Sequence, residues 1–498
     1  MFDGSLPEVA ELSSLDDAAL VAAASGWARV ESAAAARKLA VMAELFRRRS
    51  GCADAEERDS WWVDPTAAVA AELAAAQGVS QGMALAQAHR AVLLADRLPK
   101  VAALFEAGLV RDLLVRTIVY RTALILDPDA LGAVDAAIAE QVLRWGALSE
   151  KKLSTAIDAL VLIHDPAAVR LARAGDQQLG VRFGNPLDEA GYTSIWARLY
   201  APDAAGLEHR LEDMARSVCP ADPRDIDDRR AAALAALGAA EHQLACACGR
   251  HDCTARPGTS PRKDVVIHVV ADAAAMNQAR TQARGEITPS ATTTTPAVCP
   301  APAVVLGGGV IDTTVLAAFL HRATIREIRH PGHTAPEPRY QPSTALAAYV
   351  RARDLTCRFP GCDRPADRAD LDHTIPYPAG PTCASNLKTL CRLHHLLKTF
   401  WTGEGGWRDE QLPDGTIHWT APTGHTYTTH PGSALLFPTL CQPTTPVAAT
   451  PAENTTTHRG HNMPRRRTTR AQNRTQRIHT ERKHNTHLAT EHTRPPPF

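Results

Sequence analysis

Long runs of strong helix formers, chiefly Ala, Leu, Glu and Arg, fill the chain from about residue 15 to residue 175, with short polar turns between them. One run ends in three arginines at 47–49, which suits the negative end of a helix dipole. Two other runs are joined by Gly78-Val79-Ser80. Such a turn also occurs in DNA-binding helix-turn-helix motifs, but ordinary packing is expected because short glycine turns join most adjacent helices. We therefore predict a helical domain over residues 15–178.

The pattern changes near residue 179, where apolar and polar residues begin to alternate. Residues 179–184 and 192–200 alternate in this way on either side of the turn residues 185–191, which predicts a β-hairpin. We predict that residues 179–335 form an α+β continuation of the N-terminal domain. A Thr/Pro/Ala-rich stretch at about 280–303 is expected to be a flexible loop.

A small module is predicted at residues 340–435. It begins with a helical stretch and continues into a segment rich in Cys, His and Asp. Short strand patterns follow, separated by the turn sequences Pro413-Asp414-Gly415 and Pro422-Thr423-Gly424.

Residues 440–498 are mostly Thr, Pro, His, Asn and Arg, with almost no aliphatic side chains. Because such a segment cannot bury a core, we predict a disordered tail. The tail is basic, and its cations include Arg465, Arg466, Arg467, Arg470, Arg474, Arg477, Arg482 and Lys483. A basic tail can bind a polyanion without sequence preference, and a solvated tail without a partner is the alternative.

Charge and composition give limited information about the binding partner and the cellular location of the protein. The chain has 54 Lys and Arg against 54 Asp and Glu, so its net charge does not indicate a nucleic-acid binder. The N-terminal residues lack the features of a secretory signal, and no long uncharged apolar stretch predicts a membrane span. We therefore expect a cytoplasmic protein. In a reducing compartment its 11 Cys are expected to be thiols or metal ligands.

Two short-spaced pairs of candidate metal ligands lie in the predicted module. Cys357 and Cys362 flank a tight Pro-Gly turn, and Cys391 and His394 follow about thirty residues later. A tetrahedral structural zinc requires such pairs, because each turn supplies two ligands. Four unrelated groups in a small core are the alternative.

Four further polar residues, Asp372, His373, Asn386 and His395, are not needed by this zinc. Consecutive side chains point to opposite faces of a strand and lie about 100° apart around a helix. One histidine of the His394–His395 pair can therefore face the zinc while its neighbour faces a second site.

Another cysteine-rich stretch contains Cys246, Cys248 and Cys253, with His242 and His251 nearby. These residues could form half of a metal site, but the sequence shows no second pair of ligands. Whether the three cysteines bind metal is therefore left open.

The module resembles the zinc-containing HNH endonucleases, which are ββα-metal or His-Me finger nucleases. The residues that carry this resemblance are C-x4-C, LDHTIPY, N-L and LC-x2-H-H-x2-K-T, within about residues 345–400. The whole chain resembles the actinobacterial repeat-family proteins, which carry an HNH module after a long N-terminal domain of unknown function. The expected fold is a mainly α N-terminal region with an α+β segment, then a small zinc-stapled ββα-metal module and a disordered tail.

The resemblance implies a role for each of these residues. His373 would be the general base, and Asn386 would fix the loop 376–385 and thereby orient His373. Asp372 and His395 would hold one divalent cation, Mg²⁺ or Mn²⁺, with Ni²⁺ and Co²⁺ as further candidates. One structural Zn²⁺ would be held by Cys357, Cys362, Cys391 and His394. Many relatives have Cys where this chain has His394, but zinc accepts three Cys and one His.

The implied activity is hydrolysis of double-stranded DNA to 5′-phosphate and 3′-hydroxyl ends. Lys398 is a candidate phosphate contact, with a solvated helix cation as the alternative. Two other functions remain open: a catalytically idle zinc-stapled module that binds DNA, and a scaffold that binds a protein partner through the N-terminal helices. No membrane association is expected, the sequence identifies no particular protein partner, and DNA binding would place the protein at the nucleoid.

Overall fold

The chain forms two compact units, Met1–Gly175 together with Ile328–Phe498, and Asp176–Glu327. The structure is a computed structural model. It describes residues 6–50, 55–145, 149–169, 180–185, 188, 191–199, 201–253, 268–284, 303–306, 309–320, 323–403, 406–447 and 463–492. The second of these units covers most of the predicted α+β segment at 179–335. The N-terminal helices share a core with the C-terminal module, and the second unit buries small cores of its own.

The N-terminal part of the first unit is helical, as predicted. Its helices are α1 (Asp17–Ser50), α2 (Ala55–Arg58), α3 (Pro65–Gln77), α4 (Gln81–Arg97), α5 (Pro99–Glu106), α6 (Asp112–Arg121), α7 (Pro128–Gln141) and α8 (Glu150–His164). The predicted turn lies between α3 and α4, where Gly78 has a φ of 63° and the Ser80 hydroxyl caps α4. Leu39, Met42 and Phe105 are buried in the core between these helices.

The second unit contains an antiparallel hairpin, four helices and a three-stranded antiparallel sheet in the order β3-β4-β5 within its described residues. Its elements are β1 (Gly180–Phe183), β2 (Ile195–Arg198), α9 (Ala201–Arg216), α10 (Ile226–Gly238), β3 (Val269–Ala271), α11 (Ala273–Ala283), β4 (Ala303–Val305), β5 (Gly309–Ile311) and α12 (Thr313–Leu320). The hairpin is the one that the alternating pattern predicts. Most of the predicted loop at 280–303 lies outside the described residues.

The C-terminal module returns to the first unit. Its elements are α13 (Thr344–Asp354), β6 (Asp370–His373), β7 (Leu387–Leu390), α14 (Arg392–Phe400), β8 (Arg408–Gln411), β9 (Ile417–Thr420) and β10 (Thr426–Thr429). Strands β6 and β7 form one antiparallel pair, and β8, β9 and β10 form a meander. Gly415 and Gly424 have φ values of 84° and 82° in its two turns, a conformation that favours glycine.

Helix α3 and the module pack around a common apolar core. Val63 and Ala67 are buried with Phe359 and Trp419. At the edge of this core, Trp401 Nε1 donates to the Val63 carbonyl oxygen at 2.9 Å. The module therefore rests on the N-terminal helices through buried apolar surface, which is the main source of stabilisation in protein interiors.

A buried ion cluster fixes the module internally. Asp354 is fully buried and pairs with Arg353 at 2.8 Å and Arg358 at 3.1 Å, both of which are at most 2% exposed. The second carboxylate oxygen of Asp354 accepts the Thr389 backbone N–H at 2.8 Å. Arg353 also donates to the Leu387 carbonyl at 2.7 Å. These bonds attach the end of α13 to β7, the strand that leads into α14.

Part of the C-terminal tail differs from the prediction of disorder. The structure contains helix α15 (Arg470–His492) in this segment, whereas residues 448–462 and 493–498 lie outside its described part. Polar bonds hold the helix, since Arg482 pairs with Asp165 at 2.6 Å and Asn485 Nδ2 donates to the Ala167 carbonyl at 2.9 Å. A prediction based on missing aliphatic residues does not detect such contacts.

Candidate metal and nucleic-acid site

Strands β6 and β7 and helix α14 bring the residues of the predicted site into one small region. In the β6–β7 register, Asp372 lies opposite Lys388 and His373 lies opposite Leu387. Because side chains alternate along a strand, Asp370 and Asp372 share one face of β6. That face meets α14, where the side chain of His395 contacts both carboxylates.

The first cluster contains Cys357, Cys362, Cys391 and His394. Their ligand atoms all lie within 4.8 Å of one another. The Cys391 and Cys357 sulfurs are 3.3 and 3.5 Å from His394 Nδ1, and the Cys362 and Cys391 sulfurs are 4.0 Å apart. Phe359 stacks on the His394 ring with a centroid distance of 3.9 Å and fixes its plane.

These distances match the edges of a zinc tetrahedron. With Zn–S of about 2.3 Å and Zn–N of about 2.0 Å, sulfur–sulfur edges are about 3.8 Å and sulfur–nitrogen edges about 3.5 Å. The four residues can therefore hold a metal ion such as zinc without a large rearrangement. His394 belongs to this cluster, whereas His395 faces the carboxylates of β6.

The second group is a chain of acidic and imidazole side chains. Asp370 Oδ2 lies 2.9 Å from His395 Nδ1, and His395 Nε2 lies 3.6 Å from Asp372 Oδ1. A carboxylate that accepts the Nδ1–H of an imidazole fixes its tautomer, so the lone pair is on Nε2. In this arrangement the His395 lone pair faces the Asp372 carboxylate.

Two lysines hold the other oxygen of Asp372. Lys398 Nζ and Lys388 Nζ lie 2.6 and 2.8 Å from Asp372 Oδ2, and Lys388 also pairs with Asp409 at 2.6 Å. Burial alone would raise the pKa of Asp372, but the two ammonium groups lower it to about 2. Burial alone would lower the pKa of Lys388, but the Asp372 and Asp409 carboxylates raise it above its ordinary value. The network therefore keeps Asp372 ionised at neutral pH.

The residues fit a divalent cation in spacing and in ligand type. Two ligand atoms that share one such cation at about 2.1 Å lie about 3 to 4 Å apart, and the Asp372–His395 distance of 3.6 Å is within that range. The carboxylates of Asp370, Asp372 and Asp409 face two lysines and Arg392, so the charges of the cluster balance. Asp372 Oδ1 and His395 Nε2 are the atoms that would hold the cation.

His373 lies on the other side of β6, with its side chain bonded to the following loop. Its Nε2 is 2.9 Å from Thr382 Oγ1, and its ring stacks on Tyr340 at 5.3 Å. Thr382 directs its hydroxyl hydrogen to the Tyr340 carbonyl at 3.4 Å, so it accepts from Nε2–H and leaves the lone pair on Nδ1. Burial, with the charges of Lys388 and Lys398, lowers the pKa of His373 despite the neighbouring Asp372 carboxylate.

Asn386 holds the loop after β6. Its Oδ1 accepts the Ile375 N–H at 2.8 Å, and its Nδ2 donates to the carbonyls of Ile375 at 3.0 Å and Pro381 at 2.8 Å. Gly380 is required beside it, because a Cβ there would lie 2.3 Å from the Ile375 carbonyl oxygen. These contacts are the ones that the predicted role of Asn386 requires.

Sequence reasoning missed several residues of this region. Asp370, Lys388, Asp409 and Thr382 all contact predicted site residues. Asp370 could have been found from the alternation in β6, whereas the other three depend on pairing and loop geometry. The interpretation of Lys398 as a solvated cation is wrong, because its side chain is 13% exposed and bound to Asp372.

The cysteine-rich stretch of the second unit acquires a fourth member in the structure. Cys219 joins Cys246, Cys248 and Cys253, and the four sulfurs lie within 4.8 Å of one another. His242 and His251, which the sequence left as candidates, are not members of this cluster in the described part of the chain.

No helix among the described residues is long and apolar enough to cross a membrane. No solved structure gives a significant match to the chain. The profile of a family described as a domain of unknown function, DUF222, matches residues 27–354 and so ends just before Cys357.

Two relatives come from Mycobacterium tuberculosis strain ATCC 25618 / H37Rv. The uncharacterized protein Rv2100 is 48% identical over 520 residues, which cover 100% of this chain and 93% of the relative. The uncharacterized protein Rv3776 is 48% identical over 505 residues, which cover 100% of this chain and 95% of the relative. A third, an uncharacterized M. tuberculosis protein in the est 3′ region, is 44% identical over 70% of this chain and 100% of its own length. Because the profile covers more than half of the chain, this protein belongs to the DUF222 family.

Proposed function

We propose that the β6–β7–α14 segment is the active site of a metal-dependent HNH-type endonuclease that hydrolyses DNA phosphodiester bonds. The observation that supports this most strongly is the position of His395 of α14 between the carboxylates of Asp370 and Asp372, which share one face of β6. A metal-binding histidine usually donates one ring N–H to a carboxylate and turns its other ring nitrogen towards the metal and its further ligands. A ββα segment fixed by a candidate zinc cluster adds to this support.

In the proposed reaction, Asp372 and His395 would hold the divalent cation, and the buried lysines hold Asp372 in place. When bound, the cation would stabilise the negative charge that develops on the phosphate oxygens. His373 takes a proton from the attacking water at Nδ1, because Nε2 is bonded to Thr382. Asn386 keeps the loop that carries Thr382 closed, and so orients the base. The water oxygen bonds to phosphorus, the P–O3′ bond breaks, and the 3′ oxygen takes a proton from solvent water. The products are a 5′-phosphate and a 3′-hydroxyl.

Double-stranded DNA is the proposed substrate. The exposed cations Arg467, Arg477 and Lys483 lie in or just before α15, where they can bind phosphates without reading sequence. Such contacts predict binding that weakens steeply as salt rises. A protein that acts on chromosomal DNA would work in the cytoplasm, at the nucleoid.

The test compares wild-type protein with His373→Ala on supercoiled plasmid DNA. The matched control is His418→Ala, because His418 is an exposed histidine on β9 of the same module. We expect nicking with Mg²⁺ or Mn²⁺ by wild type and by the control, and loss of nicking by His373→Ala with its zinc content unchanged. End-labelling should find 5′-phosphates.

Persistent nicking by His373→Ala would show that another group is the base. A wild-type protein that binds the plasmid but leaves it intact with Mg²⁺, Mn²⁺, Co²⁺ and Ni²⁺ would contradict the nuclease proposal.

The second candidate is a catalytically idle zinc-stapled module that binds DNA. One observation favours it: both lysine ammonium groups already neutralise Asp372 Oδ2, which weakens the attraction of that carboxylate for a cation. This candidate predicts salt-dependent DNA binding that does not change when Mn²⁺ is added.

A further inference from the structure

The loop that follows α10 carries three cysteines, and their sulfurs lie close to that of Cys219 in the connection between α9 and α10. Residues 239–253 contain neither helix nor strand. Cys219 lies in the connection between α9 and α10, so the cluster joins this connection to the loop that follows α10. Twenty-six residues separate Cys219 from Cys246, and the fold brings their sulfurs to 3.3 Å.

The geometry of this cluster is that of four ligands around one ion. All four sulfurs lie within 4.8 Å of one another, and the edge of a tetrahedral zinc–thiolate site is about 3.8 Å. The Cys219–Cys246 separation of 3.3 Å is well beyond the S–S bond length of about 2.05 Å. All four cysteines are partly exposed, so burial as small apolar side chains does not explain why they meet.

A backbone amide lies near the sulfur of two of the cysteines. Cys246 raises the pKa of Cys219 and the Ala221 N–H opposes this rise, whereas the Arg250 N–H is the main cause that lowers the pKa of Cys248. In both cases the donor lies two residues after the cysteine. The same bond occurs in the first cluster, where the Arg364 N–H donates to the Cys362 sulfur. Amide donors of this kind stabilise the negative charge of metal-bound thiolates.

A buried carboxylate positions the cysteine loop before any metal binds. The Asp222 side chain is fully buried, and its Oδ2 accepts the Ala247 N–H at 2.8 Å. Arg224 pairs with Asp222 at 2.8 Å and also donates to the Ala245 carbonyl at 2.7 Å. Burial alone would raise the pKa of Asp222, but the hydrogen bond from Arg224 lowers it below its ordinary value.

The core beneath this loop is small. It consists of the buried residues Met214, Val218, Ala233, Ala236 and Leu244. A core of this size contributes little folding energy, and small units of this kind are commonly stabilised by a metal or a disulfide. A metal at the cysteine cluster would join the loop to both helices.

We propose that Cys219, Cys246, Cys248 and Cys253 bind a second structural Zn²⁺, separate from the nuclease module. Four thiolates in a tetrahedral arrangement favour zinc or an iron–sulfur centre. Zinc is preferred to an iron–sulfur cluster because all four sulfurs lie within 4.8 Å of one another, which is the spacing of four ligands around a single ion. This proposal does not depend on the proposed function, since zinc content rather than activity tests it.

The full chain is purified under reducing conditions, and its zinc and iron contents are measured by inductively coupled plasma mass spectrometry. We expect two zinc ions and no iron per chain in the wild type. Cys219→Ser and Cys248→Ser should each retain one zinc, whereas the control Cys441→Ser should retain two, because Cys441 lies outside both clusters. Hydrogen exchange should show lost protection at residues 240–253 in the two cluster variants.

The wild-type stoichiometry keeps the test valid even if a variant folds poorly. One zinc per wild-type chain, retained by Cys248→Ser, would overturn the proposal. Iron in place of the second zinc, or a Cys219–Cys246 disulfide in the intact mass of the native protein, would overturn it equally.

Discussion

Asp370→Asn tests the proposed metal site most selectively, because Asp370 supports a ligand without being one. Its carboxylate lies 2.9 Å from His395 Nδ1 and 3.1 Å from Arg392. The amide of Asn keeps the size of the side chain but removes its charge. The substitution also changes the charge of the cluster from zero to plus one, because Arg392 and the two lysines stay in place, and this weakens attraction for a cation.

The expected magnitude follows from what such supporting carboxylates contribute. Replacing one typically lowers metal affinity about tenfold to hundredfold, or about 1.4 to 2.7 kcal/mol of binding free energy. The two proposed ligand atoms, Asp372 Oδ1 and His395 Nε2, are both kept in this variant. We therefore expect Asp370→Asn to lower the affinity for Mn²⁺ by that factor and to regain activity when Mn²⁺ is raised.

Titration calorimetry with Mn²⁺ measures the affinity, and plasmid nicking at several Mn²⁺ concentrations measures the recovery. Glu410→Gln is the matched control, since Glu410 is an exposed carboxylate next to Asp409 on β8. Asp372→Ala should not regain activity at high Mn²⁺, because it lacks a direct ligand. Equal Mn²⁺ affinity in wild type and Asp370→Asn would refute the assigned role of the Asp370–His395 pair.

Three further predictions concern stability and the orientation of the base. Asp354→Asn leaves Arg353 and Arg358 buried without their counterion, so urea unfolding should show a loss of about 3 to 5 kcal/mol. Burial alone would raise the pKa of Asp354, but these arginines lower it, so this carboxyl stabilises the fold above about pH 4. The contribution of this carboxyl to the free energy of unfolding should fall as the pH drops through its lowered folded-state pKa. Urea unfolding at a series of pH values should therefore show a smaller loss of stability at acid pH for Asp354→Asn than for wild type. Thr382→Val leaves His373 Nε2 without its acceptor, so nicking should slow about two- to tenfold with zinc content unchanged.

The sequence was sufficient to predict those parts of the fold and of the candidate site whose geometry depends on residues close together in the chain. The ligands Cys357 and Cys362, and then Cys391 and His394, come in pairs that each occupy one turn, so their convergence needs only that the two turns meet. Neighbouring positions on one helix likewise separate His394 from His395. The helices of the N-terminal region follow from composition and caps, both of which are local.

The sequence was not sufficient to predict contacts between residues that are far apart in the chain. Lys388 and Asp409 meet Asp372 only after β7 pairs with β6 and the meander packs beside them. Cys219 reaches its cluster across the whole of α10. Helix α15 depends on Arg482 finding Asp165, a contact between residues 317 positions apart. Each of these contacts requires a register or a docking that no local pattern specifies.

The central claim is tested most directly by incubating the purified full chain with supercoiled plasmid DNA and Mn²⁺, beside an EDTA sample and an Asp372→Ala variant. The account predicts nicked plasmid with Mn²⁺, intact plasmid with EDTA, and intact plasmid with the variant at equal zinc content. Intact plasmid in all three samples, or nicking that Asp372→Ala retains, would contradict it.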